Sequence, residues 1–161
     1  MLETFPRAAR INRDHGVRVV DLVPDDINWH GAFPVLSELD RHQDIAEFMR
    51  TYKTEYNKGL CYSAVQEDTG TQGWLSVAGY RIMWESEPST LIVEDVVTQA
   101  NARGSGYGRI LMEDIERVGA GNGCSSLIVD LGSRAIGVAE SGFFAALEMQ
   151  QQGNQFVKSL E

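Results

Sequence analysis

Residues 91–108 read Leu-Ile-Val-Glu-Asp-Val-Val-Thr-Gln-Ala-Asn-Ala-Arg-Gly-Ser-Gly-Tyr-Gly, and this stretch decides the fold. Its first half is rich in β-branched residues and predicts a strand over Leu91–Thr98. Its second half places three alternating glycines directly before a predicted amphipathic helix, Arg109 to Val118. Glycines permit left-handed backbone and close approach of a ligand, and a helix start presents unpaired amides. The segment therefore predicts an anion cradle that suits a pyrophosphate.

The spacing of the glycines separates three kinds of nucleotide-binding turn. A P-loop needs Lys and then Ser or Thr after its last glycine, whereas Arg109-Ile110 follows here. A dinucleotide-binding turn needs GxGxxG packed directly after the strand, but this chain has GxGxG several residues beyond it. A nicotinamide-dinucleotide enzyme is therefore the weakest hypothesis. The pattern that remains is Arg-Gly-x-Gly-x-Gly after a strand and a short loop, the acyl-CoA motif.

The rest of the chain predicts a mixed α and β domain. We expect an irregular N-terminal arm over residues 1–16 and one domain over residues 17–161. The element order β, αα, βββ, α, β, α, β differs from the strict alternation of a doubly wound sheet. Besides the segment above, the pattern predicts a strand at 17–23, helices around 33–39 and 45–56, a hairpin of strands 60–66 and 74–83, a strand at 126–131, a helix at 138–146 and a strand near 156.

Composition narrows the class of protein. The chain has 161 residues, of which 43% are hydrophobic, and 14 basic against 23 acidic residues give a net charge of −9. An acidic chain repels phosphate backbones, so we expect no nucleic-acid partner. No apolar run approaches the roughly 18 residues of a membrane span, and no signal-peptide pattern begins the sequence, so we expect a cytoplasmic protein that binds no membrane. The histidines lack metal-like spacing, which predicts no metal site. Cys61 and Cys124 are expected to be reduced and buried.

The segment Val93–Thr98 followed by Arg103–Gly108 resembles the GNAT N-acetyltransferases. The hairpin through Ala78–Arg81, Gly123-Cys124 and the closing residues 155–160 are similar to a common bacterial subgroup of that family. The resemblance covers residues 17–160. It implies the GNAT acyl-CoA N-acyltransferase fold, an α/β (α+β) fold with a splayed, mostly antiparallel sheet flanked by helices, and acetyl-CoA as the cosubstrate.

The resemblance also implies roles for individual residues. The splay beside the strand at 126–131 would leave a cleft for the thioester, and an amide at Val96 or Val97 could hold the oxyanion. A family tyrosine that serves as general acid falls at Phe144, which has no hydroxyl. Residues implied to bind CoA are Val96, Val97 and Thr98 along the pantetheine arm, Arg103, Gly104, Ser105, Gly106, Tyr107, Gly108 and Arg109 at the pyrophosphate, and Phe144.

Acetyl transfer to an amine needs a base, because an alkylamine with a pKa of about 10 is protonated at neutral pH. Glu94 and Asp95 interrupt the apolar strand and are the candidate catalytic residues. Strand alternation predicts opposite faces for their side chains unless a bulge intervenes. The pair is similar to that of diamine acetyltransferases. Glu94 is the first choice as base or amine anchor and Asp95 the second, with solvent-facing acids as the alternative.

The sequence leaves the general acid open between Ser141 with a water, Tyr107, Tyr80 and proton release to solvent. The function it favours is acetyl transfer from acetyl-CoA to a primary amine of a small molecule or a lysine side chain, by direct attack in a ternary complex. A catalytically weak GNAT-fold protein that binds acyl-CoA as a sensor or scaffold is the alternative. Sheet extension at an edge strand makes a homodimer plausible.

Overall fold

A computed structural model describes residues 5–39, 44–69, 73–132 and 138–161. Within these residues it contains eight strands, four α-helices and one 3-10 turn at Ala100–Ala102. The strands are β1 Arg10–Asn12, β2 Val17–Leu22, β3 Cys61–Glu67, β4 Trp74–Met83, β5 Thr90–Thr98, β6 Ser126–Asp130, β7 Gln150–Gln152 and β8 Gln155–Ser159. The helices are α1 Trp29–Leu36, α2 Ile45–Tyr56, α3 Tyr107–Gly121 and α4 Val138–Ala146.

The strands form one mixed sheet in the order β1-β2-β3-β4-β5-β6-β8-β7. The β5–β6 pair is parallel, and the other six pairs are antiparallel. The predicted mixed, mostly antiparallel sheet flanked by helices is therefore confirmed. In the described part of the chain, no helix is long and apolar enough to cross a membrane.

Each face of the sheet buries its own hydrophobic core. The face under α3 packs Leu91, Val93, Leu111 and Ile115 together. The opposite face packs α1 and α2 against the sheet through an aromatic cluster of Trp29, Phe33, Phe48, Tyr52 and Tyr62. We refer below to the α3 face and the α1/α2 face. The amphipathic spacing of α2 predicted this burial, since Phe48 and Tyr52 lie four residues apart on one side of the helix.

The N-terminal segment differs from the expectation of an irregular arm. Residues Arg10–Asn12 form β1 and pair antiparallel with β2, and Phe5 is buried in the core of the α3 face. A strand of three residues is too short to show alternating hydrophobicity, so no pattern predicts it. The same reason explains why β7, also three residues long, was not predicted.

Candidate active site

Strands β5 and β6 are paired over only the first part of β5. Their parallel register runs from Thr90 opposite Ser126 to Val93 opposite Val129. β6 ends at Asp130, one residue beyond this pair, whereas β5 stays paired with β4 as far as Thr98. Among the described residues, the second half of β5 therefore has β4 as its only paired strand. The expected splay between β5 and the segment after β6 would begin at this point.

A β-bulge lies where the pairing of β5 with β6 ends. Tyr80 of β4 pairs with Val93, and Gly79 pairs with Asp95, so Glu94 is an extra residue on β5. A bulge inserts one residue into one strand and shifts the alternation of side chains beyond it. Val93, the last residue before the bulge, packs on the α3 face.

The bulge brings two carboxylates to the same face of the sheet. Val97 packs on the α1/α2 face, whereas strict alternation from Val93 would place it on the α3 face. Asp95, two residues before Val97, contacts Tyr62 of the same face. Arg81 links Glu94 to Glu55 of α2, which also lies on this face. Glu94 and Asp95 therefore lie on the same face, the exception that a bulge allows to the opposite faces of strict alternation.

Both carboxylates have fixed partners. Arg81 Nε lies 2.7 Å from Glu94 Oε1, and Arg81 Nη2 donates to Glu94 Oε2 at 3.3 Å and to Glu55 Oε2 at 3.2 Å. The Tyr62 hydroxyl donates to Asp95 Oδ2 at 2.9 Å. Burial raises the pKa of Tyr62 well above its ordinary value, and the Asp95 charge adds to this, so the phenol remains a donor. We call Glu55, Tyr62, Arg81, Glu94 and Asp95 the bulge cluster.

The predicted glycine cradle is an exposed turn at the start of α3. Gly104 and Gly106 have φ values of 82° and 88°, in the left-handed region that favours glycine. A Cβ on either would meet no atom within 4 Å, so the space above the turn is open. Gly106 caps α3, and its carbonyl accepts a hydrogen bond from Ile110 N at 3.1 Å. Ser105 is exposed between the two glycines.

Gly108 brings the first turn of α3 close to the end of β5. A Cβ at this position would lie 3.0 Å from Thr98 Oγ1 and 3.1 Å from Phe143 Cζ. Thr98 Oγ1 is in turn hydrogen-bonded to Ser76 Oγ at 2.8 Å. The cradle is therefore held against the splayed half of β5, which includes Val96 and Thr98.

The charged and aromatic residues of the cradle are mostly exposed. Arg103 Nε donates to the Thr98 carbonyl at 3.1 Å, and its Nη2 lies 3.3 Å from Glu38 Oε2. Arg109 Nε lies 3.0 Å from Glu113 Oε1, an ion pair between residues four apart on α3. Tyr107 opens α3 half-buried against the core of the α3 face.

The aromatic residues of α4 are placed differently from the sequence prediction. Phe144 was assigned to the cofactor, but its ring is buried in the core, with its centroid 4.6 Å from that of Phe156. The neighbouring Phe143 lies beside Gly108 at the first turn of α3, and the sequence did not point to it. The only sequence signal for Phe143 would be the division of α4 into a buried and an exposed side. This short helix is apolar on most sides, so its sequence does not show which side is buried.

Tyr80 is fully buried on the α3 face, where its hydroxyl is hydrogen-bonded to Ser63 Oγ at 2.8 Å. The hydroxyl of Tyr80 is engaged by Ser63 and has no access to solvent, so Tyr80 is not placed to protonate a leaving thiolate. Among the described residues, no group of three or more His, Cys, Asp or Glu could hold a metal ion. Cys61 and Cys124 are both buried free thiols, as expected.

A second charged cluster lies on the α3 face and was not predicted. Asp21 of β2 and Asp114 of α3 are 4% and 1% exposed, and both bind Arg7 and Arg10 at 2.8–3.0 Å. Burial alone would raise the pKa of Asp21, but the hydrogen bonds from the two arginines outweigh it and lower this pKa below 3.8. We call these four residues the arginine cluster. It fastens the N-terminal segment to α3.

Comparisons with known proteins agree with this geometry. The family model of the acetyltransferase (GNAT) family matches residues 27–143. No curated protein matches the sequence. Among solved structures, a glucosamine-6-phosphate N-acetyltransferase from Arabidopsis thaliana is 18% identical with a TM-score of 0.67, covering 85% of this chain and 93% of that one.

Two further structures are similar over nearly the whole chain. An N-acetyltransferase from Staphylococcus aureus is 14% identical, with a TM-score of 0.69, and the match covers 90% of this chain and 99% of that one. An aminoglycoside N-acetyltransferase in complex with CoA is 12% identical, with a TM-score of 0.70 and 91% of each chain covered. At these identities the likeness shows the fold, and the family model shows the membership. The chain belongs to the acetyltransferase (GNAT) family and is an acyltransferase.

Proposed function

We propose that this protein transfers the acetyl group of acetyl-CoA to a primary amine, carried by a small molecule or a lysine side chain, in a ternary complex. One observation carries the proposal: β5 leaves β6 next to two carboxylates and then leads directly into the glycine cradle. Structural neighbours that bear the names glucosamine-6-phosphate and aminoglycoside N-acetyltransferase support an amine acceptor.

The residues of this chain fit CoA in two places. Open space above Gly104 and Gly106, together with the amides that begin α3, suits the diphosphate. Arg103 and Arg109 add positive charge beside it, and Ser105 adds a hydroxyl. The backbone of Val96, Val97 and Thr98 lies along the splayed half of β5, where the pantetheine amides would find partners.

The reaction forms one bond and breaks one. The amine nitrogen bonds to the thioester carbonyl carbon, the carbon–sulfur bond breaks, and the CoA thiolate leaves. One proton of the attacking nitrogen goes to a carboxylate of the bulge cluster, either directly or through a water. Because Glu94 and Asp95 both lie on the α1/α2 face, the acceptor approaches from that side. An amide of the splayed strand, at Val96 or Val97, stabilises the charge that develops on the carbonyl oxygen.

The leaving thiolate takes its proton from solvent in this scheme. Phe144 carries no hydroxyl and is buried, and Phe143 at the cleft also lacks one. This observation favours a second candidate function, in which the protein binds acyl-CoA as a sensor or scaffold and transfers the group slowly or not at all. Positioning alone still supplies a large part of the acceleration for an acetyltransferase without a tyrosine acid.

A thiol-release assay separates the two candidates. Purified protein is mixed with acetyl-CoA and a panel of polyamines, amino sugars and lysine peptides, and mass spectrometry identifies the product. Amine-dependent CoA release with an acetylated amine supports the transferase. Calorimetric binding of acetyl-CoA with no turnover supports the sensor. Absence of both binding and turnover contradicts both candidates.

A further inference from the structure

Tyr62 reaches Asp95 across an intervening strand. Tyr62 on β3 pairs with Gly79 on β4, and Gly79 pairs with Asp95 on β5, so the three residues form one row across the sheet. A Cβ at Gly79 would lie 2.7 Å from Cε1 and Cζ of Tyr62. Because Gly79 has no side chain, the Tyr62 ring can lie across β4 at this position.

The tyrosine ring is held on several sides. Its centroid lies 5.0 Å from that of Tyr52, 5.3 Å from that of Trp29 and 5.5 Å from that of Phe48, in edge-on arrangements. The Tyr52 hydroxyl accepts a hydrogen bond from Tyr62 N at 3.2 Å and donates to the Leu22 carbonyl at 2.6 Å. A side chain fixed in this way presents its hydroxyl in one place before any substrate binds.

The two carboxylates of the bulge cluster are held by chemically different donors. Glu94 has a guanidinium at both oxygens, and the same guanidinium also binds Glu55. Asp95 Oδ2 accepts from a neutral phenol. The Tyr62 ring is fixed by its packing, so it holds Asp95 in one orientation, whereas the Arg81 guanidinium is shared between Glu94 and Glu55. This difference favours Asp95 for the proton-accepting step and an electrostatic role toward the incoming amine for Glu94.

We infer that Tyr62 is a positioning residue, which orients Asp95 as the base for acetyl transfer, and that Gly79 is the gap that permits it. The inference rests on the proposed function. Asp95 first takes one proton from the ammonium form of the amine and returns it to solvent, which frees the nitrogen lone pair to bond to the thioester carbonyl carbon. The second proton of the nitrogen passes to an oxygen of Asp95 as the tetrahedral intermediate collapses. The carbon–sulfur bond breaks with its electron pair on the CoA sulfur, which is protonated from solvent.

A double-mutant cycle tests the inference with the full chain. The variants are Tyr62→Phe, Asp95→Asn and the pair combined, assayed with acetyl-CoA and the best amine of the panel. Tyr62→Phe removes one charge-assisted hydrogen bond and is expected to lower kcat about tenfold, with KM for acetyl-CoA unchanged. Because Tyr62 acts through Asp95, the double variant is expected to be no slower than Asp95→Asn alone.

Two further variants serve as control and second test. Tyr80→Phe removes a phenol that is equally buried on the opposite face, and we expect kcat to be unchanged. Gly79→Ala keeps the hydroxyl but forces the Tyr62 ring aside, and its kcat should fall as in Tyr62→Phe.

If the kcat losses of Tyr62→Phe and Asp95→Asn multiply in the double variant, the inference is overturned. It is also overturned if Tyr80→Phe lowers kcat as much as Tyr62→Phe does. In both cases turnover by the wild type still upholds the proposed function. A wild-type protein that turns over no amine contradicts the proposed function itself, and the inference falls with it.

Discussion

The arginine cluster and the bulge cluster lie on opposite faces of one sheet and use the same kinds of side chain. In the arginine cluster, Asp21 and Asp114 are almost fully buried and share two arginines. In the bulge cluster, Glu94 and Asp95 are half-buried beside the point where β5 leaves β6. Carboxylates under a closed, packed part of the sheet thus stabilise the fold. Carboxylates where β5 loses its pairing with β6 stay partly exposed and within reach of a reactant.

The largest expected effect is a loss of kcat when Asp95 of the bulge cluster is replaced. Asp95→Asn keeps the hydrogen bond from Tyr62 but cannot take a proton, so kcat should fall about a thousandfold, within the range for a lost general base. The free energy of unfolding should change little, because the amide is isosteric with the carboxyl group. Steady-state kinetics and urea unfolding measure the two quantities. An unchanged kcat would remove Asp95 from the mechanism.

The matching change in the arginine cluster should act on stability. Asp21→Asn removes one of the two buried carboxylates that Arg7 and Arg10 share and leaves Asp114 to balance both arginines, and the free energy of unfolding should fall by about 3 kcal/mol. The kcat of the folded protein should stay near the wild-type value, since the cluster lies on the α3 face. If Asp21→Asn lowers kcat more than it lowers stability, the contrast between the two clusters is wrong.

The pH dependence of stability sharpens the same contrast. The folded-state pKa of Asp21 is lowered below 3.8, so its contribution to stability is present above that value and is lost as the pH falls through the lowered pKa. Unfolding free energies measured from neutral pH into this acidic range should therefore fall less steeply in Asp21→Asn than in the wild type. Parallel profiles for the two proteins would argue against a lowered pKa at Asp21.

A smaller effect is expected at the cradle. Arg103 is exposed and holds Glu38 at 3.3 Å, so it can turn to a phosphate at low cost. Arg103→Ala should weaken CoA binding about tenfold, the loss of one charge-assisted hydrogen bond. Arg50→Ala on α2 is the control, because Arg50 is also exposed but lies on another helix. Equal losses in both variants would indicate a general effect of net charge.

Local signals explain what the sequence could predict. The β-branched run at β5, the glycines and the amphipathic stripe of α3 each fix a local conformation, so the strand, the turn and the helix were predicted in order. The bulge could not be predicted. Glu94 is an extra residue only relative to Gly79 and Tyr80, and a single strand does not display its register with a neighbour.

Long-range pairs were equally invisible. Arg7 and Asp114 are separated by 107 positions, and no spacing links them. In α4, the position that the resemblance matches to the family's tyrosine, Phe144, is buried in the core, whereas its neighbour Phe143 lies beside Gly108. The sequence therefore predicts which strands, turns and helices build the site. The direction in which each side chain points depends on how these elements pack and pair in the folded protein.

Calorimetric titration with acetyl-CoA tests the central claim, that the turn at the start of α3 grips the diphosphate. The wild type and Gly104→Ala/Gly106→Ala are compared, because alanine resists the positive φ at both positions. We predict saturable binding by the wild type and a Kd at least about tenfold weaker in the variant, which loses the amide geometry of the cradle. Equal affinity in the two proteins, or no binding by the wild type at high micromolar ligand, would contradict the account.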